Sequence, residues 1–522
     1  MGDTRRTRDA RVRGGAIIAA AALLTGCAYV GRVSAPAPSA TSGAMGSAST
    51  STDGRYVAYS TDAETASPDA DHGVYVLDTT AGTRELVSVA TDGAIGDDWS
   101  SNPAISGDGR YVAFESDADN LVAGDTNDAT DVFVRDRVAR TTTRVSLGPK
   151  GLEADASSYD ASISSDGRYV AFTSDSDDLD PTDSNGFGDV FVRDRQTATT
   201  KLVSYSGAYG QTDFGASQGA ISGNGLFVAF VTDTPLVAND LNDSDDVYVR
   251  NLVASTTNWA SRPKAGFPDG GGGDSPAISA DGRKVAFVSA ATDLDTVAND
   301  VNGPDVFLRD LAASTTTRIS VGPTGGALSA PAVSPSISAD GQRVAFASSA
   351  NASGTDVNGS VFDVFVRDRS NGRTVLVSTN ADLVQSASDA SAPRLSPDGR
   401  YAFWMSQGAY VKEDANGVAD VYQRAVDVPR VTAASPATAA RGTTVTITLT
   451  GSSFLPGATI IAPSGVTVSN TTVVGDASIT ATFAVGASAP TGPQTVFVQN
   501  VGTGPGPLTG ALGQCQGCLR IT

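Results

Sequence analysis

The residues best placed to do chemistry recur in one polar spelling. Six loops read Asp125-x-Asn127-x-x-x-Asp131, Asp183-x-Asn185-x-x-x-Asp189, Asp240-x-Asn242-x-x-x-Asp246, Asp300-x-Asn302-x-x-Asp305, Asp356-x-Asn358-x-x-x-x-Asp363 and Asp414-x-Asn416-x-x-x-Asp420. Calcium takes roughly six to eight oxygen ligands, and alternating Asp and Asn with a distal carboxylate can supply several at once. The same residues also end strands, bond their own backbone and accept left-handed geometry without any metal. The varying distance to the last Asp and the missing bidentate Glu weigh toward turn chemistry, and calcium remains the second reading. The pairs Arg135-Asp136, Arg193-Asp194, Arg309-Asp310 and Arg367-Asp368 read as local salt bridges and turn caps. His72, the only His, reads as a solvated loop residue, which leaves little room for zinc or His-based acid-base catalysis. A glycosidase needs only two carboxylates, and a chain with 57 acidic residues keeps that enzyme reading open. No catalytic residue is assigned.

Three cysteines divide by position. Arg5, Arg6, Arg8, Arg11 and Arg13 precede an apolar run from Ala16 to Leu24, too short to span a bilayer as a mature helix, which reads as an export signal. The run ends in Leu24-Thr25-Gly26-Cys27, which resembles a bacterial lipoprotein lipobox. That resemblance implies removal of residues 1–26, a diacylglycerol thioether on Cys27 and anchorage on the outer face of the cytoplasmic membrane. Cys515 and Cys518 then remain as a C-x-x-C pair in an oxidising compartment, where a structural disulfide is expected. A redox-active pair would need a thioredoxin-like helix start, and a zinc knuckle two more ligands nearby.

The elements that must position these residues are repeated. Asp53-Gly54-Arg55, Asp108-Gly109-Arg110, Asp166-Gly167-Arg168, Asn224-Gly225-Leu226, Asp281-Gly282-Arg283, Asp340-Gly341-Gln342 and Asp398-Gly399-Arg400 are spaced by 55, 58, 58, 57, 59 and 58 residues. Each turn lies between short β runs and reads as a two-residue hairpin. Each Asp-rich loop leads into a third run such as Asp131-Val132-Phe133-Val134, followed by a fourth such as Thr143-Arg144-Val145-Ser146. Four strands per unit and seven units describe an all-β chain built on a seven-bladed β-propeller. The spelling Ile-Ser-x-Asp-Gly-Arg-Tyr-Val-Ala-Phe, then Asp-Val-Phe-Val-Arg-Asp, resembles the TolB-like propeller repeat over residues 48 to about 425. That family's usual business, contact with other proteins from a rigid disc, implies a binding scaffold and transfers no chemistry by itself.

From Pro429 the period stops. Pro429-Arg430-Val431, Gly442-Thr443-Thr444-Val445-Thr446-Ile447 and Gly451-Ser452-Ser453-Phe454 follow in the order seen in immunoglobulin-like TIG domains, which implies a β-sandwich over 429–522. Those 94 residues are too few and too β-rich for an α/β-hydrolase partner. The seventh unit lacks a place for its fourth strand, while Arg32-Val33-Ser34 repeats Arg144-Val145-Ser146. Residues 29–34 are therefore expected to pair with Val421 to Ala425, giving a propeller over 27–428 and hiding the open edges of the ring.

Composition narrows the partners. Net charge is -21, and removing residues 1–26 with their five Arg and two Asp leaves 31 basic and 55 acidic residues, or -24. That balance argues against nucleic acid or an anionic membrane surface as the main partner. The reading is a monomeric, lipid-anchored binding protein of the cell envelope whose partner is an envelope protein or a cell-wall glycan, with a glycan-active enzyme as its rival.

Overall fold

Valine, alanine and aromatic residues run almost without interruption through the repeated segments, as in Tyr111-Val112-Ala113-Phe114 and Val132-Phe133-Val134, a pattern that suits a pleated strand packed on both faces. The computed structural model describes residues 30–34, 44–61, 73–264, 271–295, 303–380, 384–412, 414, 417–454, 457–475, 477–500 and 512–522. The export segment 1–26, Cys27, Tyr29, His72, Asp300, Asn302 and Asn416 lie outside them. Among the described residues the only helix is a short 3-10 turn, Pro149–Gly151, and no helix is long and apolar enough to cross a membrane.

Among the described residues up to Ala425 the strands form seven antiparallel four-stranded sheets and one two-stranded ladder, a β-propeller architecture. The second is representative: Ser100–Ile105, Tyr111–Ser116, Asp131–Asp136 and Thr141–Arg144 pair in sequence order. Each sheet carries a buried cross-strand aromatic pair on its second and third strands. Phe114 and Phe133 stack with centroids 5.8 Å apart, and Phe172–Phe191, Phe287–Phe307 and Trp404–Tyr422 repeat the arrangement. In the seventh sheet the outer position is taken from the chain's other end. Val30–Arg32 pairs antiparallel with Asp420–Ala425, Val30 opposite Arg424 and Arg32 opposite Tyr422.

The Asp-Gly turns join the sheets. Thr52 N–H donates to Gly107 O, Gly107 to Ser165 O, Ser165 to Gly223 O, Asn224 to Ala280 O, Ala280 to Ala339 O, Ala339 to Pro397 O, and Asp398 back to Thr52 O. These bonds close a ring of backbone that ties each sheet to the next. Each turn is wider than the expected two-residue hairpin, with Ser106 to Arg110 between paired strands. Ser106 Oγ donates to Asp108 Oδ1 at 2.6 Å, and the same carboxylate oxygen accepts Arg110 N–H at 2.9 Å. Within this turn only the glycine takes the left-handed conformation, and at Gly109 (φ 74°) a Cβ would stand 2.2 Å from the Tyr56 ring of the preceding sheet.

Beyond the ring, Arg430–Ser435, Thr444–Ser452, Ser478–Val485 and Val466–Gly475 form one sheet. Thr438–Ala439, Leu512–Ile521, Gly492–Gln499 and Thr459–Ile461 form a second. Ile447, Leu449, Ile479, Phe483, Val496, Val498 and Leu519 fill the core between them. Cys515 and Cys518 lie on the Leu512–Ile521 strand with Cα atoms 5.6 Å apart, within disulfide reach.

Candidate functional site

The loops joining second to third strands, and those leading from each sheet to the next, emerge on the side of the ring opposite the Asp-Gly turns. There the distal Asp of each polar loop opens the third strand and is buried: Asp131, Asp189, Asp246, Asp305, Asp363 and Asp420. Each accepts a hydrogen bond from a serine just past the outer strand, in order Ser146, Ser204, Ser261, Ser320, Ser378 and Ser34. The same serine oxygens accept the backbone N–H of the next residue of the third strand, such as Val132 at 3.1 Å. This bifunctional hydroxyl fastens the outer strand to the sheet.

What lies between the two carboxylates of a loop depends on a residue outside the loop. In the second sheet Asp125, Asp131 and Glu153 bring ligand oxygens within 4.8 Å of one another. Arg144 Nη1 sits among them, at 2.9, 2.8 and 2.6 Å respectively. A guanidinium thus stands where a metal would. In the seventh sheet Arg32 takes the corresponding place, 2.9 Å from Asp420 and 4.0 Å from Asp414. In the fifth, Arg318 bonds Asp305 and reaches Asp295 at 2.9 Å. The third and sixth sheets have Leu202 and Leu376 at the Arg position and use an amide instead. Gln211 Nε2 donates to Asp183 Oδ1 at 2.5 Å and Asp189 Oδ2 at 2.9 Å, and Gln385 Nε2 to Asp356 at 2.8 Å and Asp363 at 2.7 Å.

Among the described residues the fourth sheet has neither. Trp259 occupies the Arg position, and its Nε1 donates to Asp246 Oδ1 at 2.6 Å, as do Ser261 Oγ and, at 3.0 Å, Gly272 N–H. Asp240 Oδ2 accepts Tyr248 OH. Asp240 Oδ1 and Asp246 Oδ2 are left buried without a hydrogen-bond partner, on side chains 4% and 0% exposed. Burial pushes the Asp246 carboxyl up to about 6, the Asp240 charge adding to the shift. Among the described residues no N–H donor bridges this pair. Single unpartnered oxygens also occur on Asp183, Asp356 and Asp420, each in a loop where a donor does bridge or face the pair.

The adjacent Arg-Asp pairs do not bond each other, which corrects the salt-bridge expectation. Neighbours along a strand point to opposite faces. Asp136 instead pairs with Arg110 of the Asp-Gly-Arg turn, Nη2 to Oδ2 2.7 Å, and caps the Val138 and Ala139 N–H groups at 3.0 Å. Asp78 with Arg55 and Asp194 with Arg168 do the same. Arg135 turns to Thr142 Oγ1 at 3.0 Å and to the Ala90 carbonyl.

Two further groups were not singled out from sequence. Asn102, Asp160, Gln218, Ser275 and Arg394 line a channel cavity of about 410 Å3. Beside it, Glu115 accepts Asn102 Nδ2 at 2.9 Å and Asp160 N–H at 2.6 Å, and burial raises both the Glu115 and Asp160 carboxyls above their usual range. Only a departure from the repeat at position 115, where other units carry Thr173, Val231 or Val288, could have flagged them. On the loop side, Trp99, Phe187, Tyr209 and Phe214 are 42, 47, 50 and 69% exposed, and Phe187 meets Phe214 edge to face at 6.2 Å. Gly215-Ala216-Ser217-Gln218-Gly219 spells Gly-x-Ser-x-Gly, yet Ser217 starts an inner strand, not a strand-turn-helix elbow.

No family model matches the chain, and no curated protein matches it. Solved structures do resemble it. An oligogalacturonate lyase from Vibrio parahaemolyticus aligns at 14% identity and TM-score 0.46, covering 74% of this chain and 90% of that one. A putative TolB from Agrobacterium tumefaciens aligns at 15% and 0.35, covering 66% and 94%, and the Dos1 propeller at 11% and 0.37, covering 73% and 82%. The likeness is one of fold.

Proposed function

We propose that this protein is a lipid-anchored binding scaffold of the bacterial cell envelope, held to the outer face of the cytoplasmic membrane through Cys27. In this reading a seven-bladed propeller over 27–428 offers its loop side to an envelope protein or cell-wall glycan. A TIG-like sandwich over 429–522, stapled by a Cys515–Cys518 disulfide that would block both thiols to alkylation, completes the monomer. The observation that carries it is the contrast on the loop side. The repeated carboxylates are turned inward and locked, whereas Trp99, Phe187, Tyr209 and Phe214 break the repeat and stand exposed. Rigidly held aromatic side chains suit the C–H faces of sugars and the apolar anchors of protein partners alike.

The test is capture of the mature chain, with Cys27→Ala to free it from lipid, on purified cell wall and on envelope extract. Phe187→Ala with Phe214→Ala should weaken capture about tenfold. Equal capture by the variant contradicts the assignment of the face.

Calcium belongs, in this reading, to one loop. Asp240, Asn242 and Asp246 keep the metal-suited spelling without the Arg or Gln that occupies the equivalent space elsewhere, and two buried carboxylate oxygens there lack partners.

The rival, a glycan-active enzyme, is favoured by one observation, the adjoining Asp160 and Glu115 at the channel. It requires that Asp160→Asn abolish release of sugars from a wall preparation. Absence of any release by the unmodified chain removes it.

A further inference from the structure

A protein of net charge -21 gathers four arginines around one cleft. The cavity, about 720 Å3, runs along the outer strand of the sixth sheet to the start of the C-terminal sheet, and Arg367, Arg373, Arg424 and Arg430 line it. Among the described residues no carboxylate lines it. Of the described acids adjacent in sequence to lining residues, Asp368 and Asp427 are engaged by Arg343 Nη2 at 3.2 and 2.5 Å, and Asp356 by Gln385 Nε2 at 2.8 Å.

Two of the arginines come with the repeat. Arg367 and Arg424 occupy the position of Arg135, and Arg367 Nη1 donates to Thr374 Oγ1 at 3.1 Å as Arg135 does to Thr142. Arg424 is 4% exposed, its Nη1 donates to Thr379 Oγ1, and its Nε has no partner. Burial without a carboxylate pushes it down to about 10, and burial lowers Arg367 as well. The other two are peculiar to this place. Arg373 stands opposite Asp368 in the ladder, where the other sheets with this strand have Thr83, Thr141, Thr199, Thr256 and Thr315. Its Nη1 reaches across to Ser453 Oγ at 2.6 Å. Arg430 belongs to the first C-terminal strand. Uncompensated guanidinium groups repel one another and are costly to desolvate, and planar N–H forks match oxyanions.

We propose that this cleft binds a ligand carrying two or more closely spaced oxyanions, a phosphorylated or uronic-acid saccharide or polyol. Ser353, Thr355 and Thr374 add hydroxyls beside the charges, and Val375, Val426 and Val428 an apolar wall for the carbon skeleton. The site goes beyond the loop-side reading. It is built from the sixth and seventh sheets and the C-terminal strand, whereas Trp99, Phe187 and Phe214 belong to loops around the second to fourth sheets, so either assignment can fail alone.

Titration calorimetry of the mature Cys27→Ala chain with pyrophosphate and, in parallel, a uronic-acid disaccharide tests it. Salt-sensitive binding of either probe is expected, and the probe preferred identifies phosphate or carboxylate as the natural group. Arg373→Gln with Arg430→Gln, which spares the buried Arg424, should weaken binding at least about tenfold, the loss of charge-assisted bonds, at unchanged circular dichroism. Arg373→Lys should recover only part of the affinity, because an ammonium keeps the charge without the fork. No binding of either probe at millimolar concentration, or equal binding by the double variant, overturns the proposal.

Discussion

The loops 125–131 and 240–246 share one spelling, Asp-x-Asn-x-x-x-Asp, and differ in what faces their carboxylates. In the first, Arg144 threads a guanidinium between Asp125, Asp131 and Glu153. In the second, Trp259 replaces that Arg, and Asp240 and Asp246 each keep a buried, unpartnered oxygen. The spelling therefore sets the turn and the strand start, while the charge is settled by a residue 13 positions further on, at the end of the outer strand. A calcium-like motif in this repeat has to be read together with position 144 or its equivalent.

The sharpest way to break the comparison is to remove the bridging cation. Arg144→Leu strands three carboxylates, two of them buried, and should destabilise the fold by about 3–5 kcal/mol, as removal of one partner of a buried ionic cluster does. The third sheet already shows a working alternative, Leu202 with Gln211. Arg144→Leu combined with Glu153→Gln should accordingly recover more than half of the loss in chemical denaturation. No recovery would mean that the amide bridge is not an equivalent of the guanidinium.

A smaller effect is expected where the N-terminal strand joins the seventh sheet. Ser34→Ala removes the donor to the buried Asp420 and should cost about 2 kcal/mol, the range for hydrogen bonds to charged groups. Ser34→Thr, which keeps a hydroxyl, should lose less. Stability unchanged on truncation to residue 40 would show that Val30–Arg32 contributes nothing to the seventh sheet.

The smallest expected effect is a slope in pH. Burial raises the Asp125 and Asp246 carboxyls to about 6, above their unfolded value, so the folded chain holds protons that the unfolded chain has released. Stability should fall as pH rises from about 4 through about 6. Asp136 and Asp194, held down to about 2 chiefly by Arg110 and Arg168, work in the opposite sense, and their contribution is lost as pH falls from about 4 toward 2. Asp246→Asn should reduce the upper slope, which Asp125, Asp183 and Asp305, also raised to about 6, continue to carry, and should leave the lower limb in place, as denaturation across this range can read.

Much of this organisation was legible because a repeat writes the same physics many times. The Asp-Gly-Arg period, the aromatic on each second and third strand and the serine at the end of the fourth all mark positions in the strand order. Their partners were not legible. Arg110 finds Asp136 and Ser146 finds Asp131 only after pleating and hairpin register bring them together, and adjacency in sequence pointed instead to Arg135 with Asp136. The channel carboxylates and the arginine cleft were hidden for a second reason. Each depends on residues that depart from the repeat, such as Glu115 and Arg373, and joins side chains from different sheets that pack side by side.

We propose that one spelling serves as a sealed strand lock in most sheets and as a cation site in the fourth. Thermal unfolding with chelator and with calcium tests it most directly. The unmodified chain should gain about 2.7 kcal/mol when free calcium is roughly 100 times its dissociation constant, because the metal binds only the folded state. Asp246→Asn and Asp240→Asn should each abolish the gain, and Asp131→Asn should leave it intact. No difference between chelator and millimolar calcium, or a gain that survives both fourth-sheet substitutions, would contradict the claim.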